Sequence, residues 1–146
     1  LEKPILPVAD SSSITLQQVQ AAIQQLTGNI LQVPPMHSAI KVDGKRVYAS
    51  ARLGIEVKME ARPVEVREFE LTRFENSEVD FRICCSKGTY IRSLARDLGE
   101  LLGVGAYLKS LCRTRIGDYS LTDAHELPQL VEKIKSRHNE NLPGLN

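Results

Sequence analysis

The chain has 146 residues, 42% hydrophobic and 25% charged, with a formal net charge of +1. That size and balance suit one globular domain with a core of its own, and they exclude a polyelectrolyte or a low-complexity chain. No stretch approaches the unbroken apolar length of a membrane helix, "LEKPILPVAD" lacks the apolar centre of a signal peptide, and Cys84, Cys85 and Cys112 form no disulfide framework, so the composition points to reduced thiols in the cytoplasm.

The chain opens on a proline-marked extended lead-in that ends in "DSSS". "TLQQVQAAIQQLTG" follows, with Leu16, Val19, Ala22, Ile23 and Leu26 at helical spacing, Ser13 or Thr15 as cap and Gly28 as stop. Pro34 and Pro35 exclude a helix over the next segment, and "VDGK" carries the Asp-Gly pair of a tight hairpin turn. "RVYASARLG" reads as a short helix closed by Gly54.

Two strands come next. "RPVEVREFELTRFE" sets Val64, Val66, Phe69, Leu71 and Phe74 on one side, with a slip at Arg67-Glu68 that predicts a bulge. "EVDFRICCS" alternates Val79, Phe81, Ile83 and Cys85 against Asp80, Arg82 and Cys84, and Asn76-Ser77 makes the hairpin turn. "TYIRSLARDLGELLG" carries a helical stripe of Ile91, Leu94, Ala95, Leu98, Leu101 and Leu102, with Thr89 as a cap. "AYLKSLCRTRIGDYSL" alternates and reads as a strand, "TDAHELPQLVEKIKSRHN" as an amphipathic helix interrupted near Pro128, and "ENLPGLN" as a frayed tail. Helices mixed with a hairpin give an α+β class, with a mixed, largely antiparallel sheet flanked by helices in a single domain over 1–146.

Four groups of residues offer chemistry. Strand alternation sends Cys84 and Cys85 to opposite faces, no CxxC is present, and His37, His125 and His138 lie in unrelated contexts, so structural cysteine is expected rather than thiol catalysis or a metal site. Asp97 and Glu100 share a helix face and read as a solvated pair. The turn at Gly88 presents Lys87, Tyr90 and Arg92 at a helix N-terminus, where free N–H groups and the dipole favour an anion, the tyrosine ring can stack on a base, and the guanidinium can hold a phosphate or carboxylate. The same residues also fit a core tyrosine and a surface arginine. The fourth group is a basic hairpin of Lys41, Lys45, Arg46 and Arg52, with Tyr48 and His37, which fits either a nucleic-acid backbone or a solvated loop. Charge is local rather than global: between residues 87 and 115, Lys87, Arg92, Arg96, Lys109, Arg113 and Arg115 are offset only by Asp97 and Glu100.

Two stretches, "QVPPMHSAIKVDGKRVYASARLGIEV" and "CSKGTYIRSLARDLGELLGVGAYLKSLCRTRIG", closely resemble the bacterial tRNA pseudouridine synthase B family, and the likeness runs from about Ile14 to Ala124. The resemblance implies an isomerase without metal or organic cofactor that flips a uridine out of the tRNA T-loop, breaks its N-glycosidic bond and rejoins the base through carbon. It places Tyr90 against the flipped base with a part in proton handling. Arg92 would pair with and orient the catalytic aspartate, and Leu111 would line the base pocket. Lys41, Lys45 and Arg52 fall on basic positions of the family's "PPMYSALK" segment and imply RNA contact. His37 stands where the family usually has tyrosine, and Cys112 where it usually has arginine.

The family's catalytic aspartate belongs to a "GxLDPxATG" motif that these residues do not contain: Asp10, Asp43, Asp80, Asp97, Asp118 and Asp123 all lack that context. The expectation is therefore the C-terminal portion of a pseudouridine synthase catalytic domain, inactive alone, whose partners are the tRNA T stem-loop and an N-terminal half bearing the aspartate. The resemblance gives no role to a membrane or a metal. Two other classes remain open at this point: a non-catalytic RNA-binding module, and an oligomerisation domain that pairs through its sheet edge.

Overall fold

Helix α1, Leu16–Gln25, begins where Thr15 turns extended (φ −99°, ψ 156°) and closes a capping box with Gln18. The Gln18 N–H donates to Thr15 Oγ1 at 3.3 Å, and the Thr15 N–H donates to Gln18 Oε1 at 2.8 Å, which satisfies donors that the first turn leaves open. In this computed structural model, residues 9–35, 41–42, 45–46 and 59–140 are described. Val19, Ala22, Ile23 and Leu26 of the predicted stripe are buried, whereas Leu16 at its start is exposed.

Gly28 does not stop the helix. It opens strand β1, Gly28–Gln32, at φ +91°, a left-handed conformation that a β-carbon resists. This strand is not evident from local pattern because its hydrogen-bonding partner is distant: Gly28 pairs with Val66 and Gln32 with Arg62. Lys41–Val42 (β2) and Lys45–Arg46 (β3) pair antiparallel with two residues between them, as the Asp-Gly dipeptide requires. The helix expected over "RVYASARLG" and the tail "ENLPGLN" lie outside the described residues, apart from Arg46 at the start of the first and Glu140 at the start of the second.

Strands β4, Arg62–Glu75, and β5, Glu78–Cys85, form the long hairpin. Asn76 and Ser77 both take positive φ (48° and 62°), the backbone of a primed two-residue turn. The ladder shifts register twice, between Val66 and Glu68 as expected and again between Leu71 and Arg73. Both shifts have one cause. Hydrophobic spacing in β4 is two residues except from Val66 to Phe69 and from Leu71 to Phe74, where it is three; one extra residue at each step returns the next apolar side chain to the same face.

β1, β4 and β5 form an antiparallel sheet in the order β1-β4-β5. Its apolar face packs on α1 and on helix α2, Ile91–Leu101. The core consists of Val19, Ala22, Ile23 and Leu26 from α1, Val66 and Phe69 from β4, and Leu94 and Leu98 from α2, with Phe81, Ile83 and Cys85 of β5 packed against it. Phe69 and Phe81 meet edge to face, with centroids 4.9 Å apart. The opposite face is polar and carries the Arg82–Glu70 and Arg73–Asp80 pairs. The α+β class expected from sequence is what the structure has, and each described sheet is antiparallel.

The chain divides into two compact units, residues 1–109 and 110–146. The second contains a short hairpin, β6 (Arg115–Ile116) with β7 (Tyr119–Ser120), then a 3-10 turn, Leu121–Asp123, and helix α3, Leu127–Glu140. The strand expected over "AYLKSLCRTRIGDYSL" is thus a correction. Gly117, at φ +57°, breaks the run into two-residue strands, and the residues before Arg115 form no ladder. Pro128 lies in the first turn of α3, where its missing N–H costs nothing, so it starts that helix rather than interrupting it. Among the described residues, no helix is long and apolar enough to cross a membrane.

Candidate functional site

The site is built where β5 ends and α2 begins. Ser86 leaves the strand tied to β4: its N–H donates to the Glu65 carbonyl at 2.8 Å, and its Oγ accepts the Glu65 N–H at 3.0 Å. The chain then turns through Lys87 and Gly88. The turn is closed by the Thr89 N–H on the Ser86 carbonyl at 3.3 Å, and Gly88 takes φ +88°. Thr89 does not cap the helix. Its hydroxyl lies 3.3 Å from Ser86 Oγ, and the N-cap is Tyr90 (φ −98°, ψ 110°), which makes no side-chain capping bond. The first turn of α2 holds no acidic residue, so nothing there opposes an incoming anion.

Tyr90 is half-buried, and its backbone is gripped from across the core. The Gln32 carboxamide, 1% exposed, accepts the Tyr90 N–H at 2.8 Å through Oε1 and donates to the Tyr90 carbonyl at 3.2 Å through Nε2. One residue on, the Val33 carbonyl accepts from Ser93 Oγ at 2.8 Å and from Arg96 Nη2 at 3.1 Å. The end of β1 is therefore stitched to the first turns of α2 by four side-chain hydrogen bonds, three of them from side chains excluded from water. Sequence reading passed over Gln32 and Ser93. The available signal was a polar residue at the end of "NILQ" just before the Pro-Pro corner, and a serine on the buried stripe of α2 between Ile91 and Leu94.

The other expected site residues fall as follows. Lys87 is exposed beside the Gly88 turn. Arg92 is exposed on the first turn of α2, and it has an interaction partner. Lys41 and Lys45 stand on β2 and β3. Arg52 and His37 lie outside the described residues. Leu111 is exposed within the second unit, four residues before β6. The structure thus joins Lys87, Tyr90 and Arg92 on one corner.

Electrostatics divide the molecule. At the far end of the hairpin, Arg73 pairs with Glu75, Glu78 and Asp80, and Lys109 pairs with Glu78. The Lys109 ammonium, followed by the Arg73 guanidinium, holds the Glu78 carboxyl below its usual range, and Arg73 does the same to Asp80. Asp97 departs from the solvated pair expected of it. Its side chain is 20% exposed and accepts from Arg96 at 2.6 and 2.8 Å, while Glu100 is exposed and 3.7 Å from the same guanidinium. Arg96, pinned between Asp97 and the Val33 carbonyl, serves the seam between β1 and α2. Cys84 and Cys85 are half-buried strand residues and Cys112 is exposed. Among the described residues, no cluster of His, Cys, Asp or Glu could hold a metal ion.

A helix start without acids, a clamped tyrosine and flanking cations meet at this corner, but such an arrangement does not by itself name a family. Comparison with known proteins does. Residues 2–91 match the TruB family pseudouridylate synthase N-terminal domain, and residues 92–143 match the tRNA pseudouridylate synthase B C-terminal domain. Similar proteins, each called tRNA pseudouridine synthase B, include those of Phocaeicola vulgatus (43% identical over 142 residues, 97% of this chain and 60% of the relative), Mycobacterium bovis (44% over 136 residues, 90% and 46%) and Aromatoleum aromaticum (50% over 117 residues, 80% and 38%). The chain spans about half the length of the curated relatives it matches. A solved structure titled as a Cbf5-Nop10-Gar1 complex contains a similar fold, with a TM-score of 0.69 at 27% identity over 94% of this chain and 36% of that one. The chain belongs to the TruB family of pseudouridylate synthases.

Proposed function

We infer that these residues form one wall of the uridine site of a cytoplasmic tRNA pseudouridine synthase that acts on the T-loop. The observation that carries this reading is Tyr90: half-buried at the start of α2, with both its backbone polar groups held by Gln32 and with Lys87 exposed beside it. The isomerisation breaks the bond from C1′ to N1 and forms one from C1′ to C5. The proton leaves C5, N1 gains one, and atoms balance without metal or organic cofactor.

In this reading the Tyr90 ring lies against the flipped base and assists the proton transfer. Arg92 orients the catalytic carboxylate, and Leu111 lines the base pocket. Lys87, Lys41, Lys45 and Arg52 hold the RNA backbone as cations on phosphates. The carboxylate itself comes from a segment with the "LDPxATG" motif, which is not among these 146 residues.

The test uses a T stem-loop RNA and the chain as it stands. It should bind the RNA with an affinity that falls as salt rises and should form no pseudouridine. Lys87→Ala should weaken binding and lower the log–log salt slope by about 1. Pseudouridine formed by this chain alone would overturn the assignment of the carboxylate to another segment, and salt-insensitive or absent binding would overturn the RNA-facing role.

A further inference from the structure

We propose that Gln32 is a positioning residue for Tyr90, setting the direction of the tyrosine ring through that residue's own backbone; the proposal rests on the reading of Tyr90 as a base-facing group. Gln32 and Ser93, each 1% exposed, are the buried polar side chains among the described residues, and both spend their hydrogen bonds on the seam between β1 and α2. A residue that only filled this space would serve better as Met or Leu, because a buried carboxamide must be fully bonded merely to recover the cost of leaving water. What the carboxamide adds is geometry.

Its oxygen holds the Tyr90 N–H at 2.8 Å and its nitrogen holds the Tyr90 carbonyl at 3.2 Å. One rigid planar group thus grips both peptide units that flank a single α-carbon. With φ at −98° and ψ at 110° so held, the Cα–Cβ bond of Tyr90 has one direction, and the ring has only its side-chain torsions left to choose. The helix alone cannot do this. The Ser93 and Leu94 N–H groups reach the Tyr90 carbonyl, each at 3.1 Å, but the Tyr90 N–H precedes the first helical bond and takes its hydrogen bond from Gln32. Tyr90 also lacks a side-chain cap to anchor it, so its placement is inherited from β1, 58 residues away in sequence. A base-stacking ring needs this, since errors near 1 Å in placement are costly to catalysis.

The experiment compares Gln32→Met, which keeps length and volume but neither hydrogen bond, in the full-length protein carrying these residues, alone and combined with Tyr90→Ala. With Tyr90 present, Gln32→Met should lower the single-turnover rate on T-loop RNA roughly 10- to 100-fold while KM moves less than about twofold. With Tyr90→Ala, the same change should cost less than about twofold, because the group it positions is gone. An equal loss in both backgrounds, or an unchanged rate, overturns the proposal. If Gln32→Met does not fold, Gln32→Glu, which keeps an acceptor for the Tyr90 N–H, takes its place in the same cycle. Should Tyr90→Ala turn over normally, the base-facing reading fails on its own, and amide exchange then decides for Gln32. Gln32→Met must release protection at the Tyr90 N–H and leave it intact at Leu98; retained protection at Tyr90 overturns the positioning role.

Discussion

Replacing Gly99 by alanine sets two effects of opposite sign against each other. Gly99 lies buried inside α2, where alanine is the better helix former by about 1 kcal/mol. Its missing side chain is occupied, however: a β-carbon there would lie 2.1 Å from the Ala106 nitrogen, 2.3 Å from the Gly105 carbonyl carbon and 2.7 Å from the Ala106 Cβ. Unbonded heavy atoms sit roughly 3.5 Å apart at rest, and two of these three are backbone, so the 105–106 segment must retreat by about 1 Å or more. That retreat strains a close-packed contact at about 1–3 kcal/mol. It also pulls on the Val104 and Gly105 N–H groups that donate to the Gly99 carbonyl at 3.2 and 3.0 Å, each bond contributing about 0.5–1.5 kcal/mol. Setting the helix gain against these costs leaves a net loss of about 3 kcal/mol, or roughly 10 °C in Tm. Urea unfolding followed by far-ultraviolet circular dichroism measures it, with an unchanged denaturant slope confirming that the denatured state is not what moved. The Val104 and Gly105 amides should lose exchange protection at the same time. A Gly99→Ala protein as stable as its parent, or more so, would show that helix propensity wins and that the loop does not rest on α2.

Two further outcomes follow from the packing and the charges. Leu94→Ala, at a fully buried position facing Val66 and the α1 stripe in the core, should cost about 2–5 kcal/mol in the same assay, whereas Leu101→Ala on the exposed edge of α2 should cost under about 1 kcal/mol; equal losses would place the core elsewhere. Glu78 and Asp80 are held below their usual pKa by Lys109 and Arg73, so their contribution is complete above the unfolded value of about 4 and is lost as pH falls through the lower folded values. Thermal melts taken from neutral to acid pH should therefore show a shallower acid loss in Glu78→Gln than in the parent, and identical profiles would mean that water screens these exposed pairs completely.

What was legible in the sequence is what neighbours along the chain decide. Thr15 and Gln18 make a capping box within one turn. The two three-residue gaps in the apolar pattern of β4 become two register shifts, and only the first had been expected because Arg67-Glu68 interrupts the pattern more visibly than Thr72-Arg73. Asn76-Ser77 supplies the left-handed turn that the hairpin needs. The segment from Ala106 to Leu121 misled because alternation of apolar and polar residues is necessary for a strand but not sufficient. A ladder also needs a partner, and Gly117 limits what these residues can pair with to two on each side.

The sequence by itself determined the two-layer ingredients and the family, and it singled out Lys87, Tyr90 and Arg92 as candidates. Only the tertiary structure decided how that corner is held. Gln32 reads as one more polar residue before a Pro-Pro turn until β1 pairs with β4 and carries its carboxamide to the Tyr90 backbone. Gly99 reads as a weak point in a helix until the chain folds back and fills the space it leaves. Both depend on contacts between segments that meet only after folding, and no local preference encodes the distance between a side chain and a backbone brought together by the core.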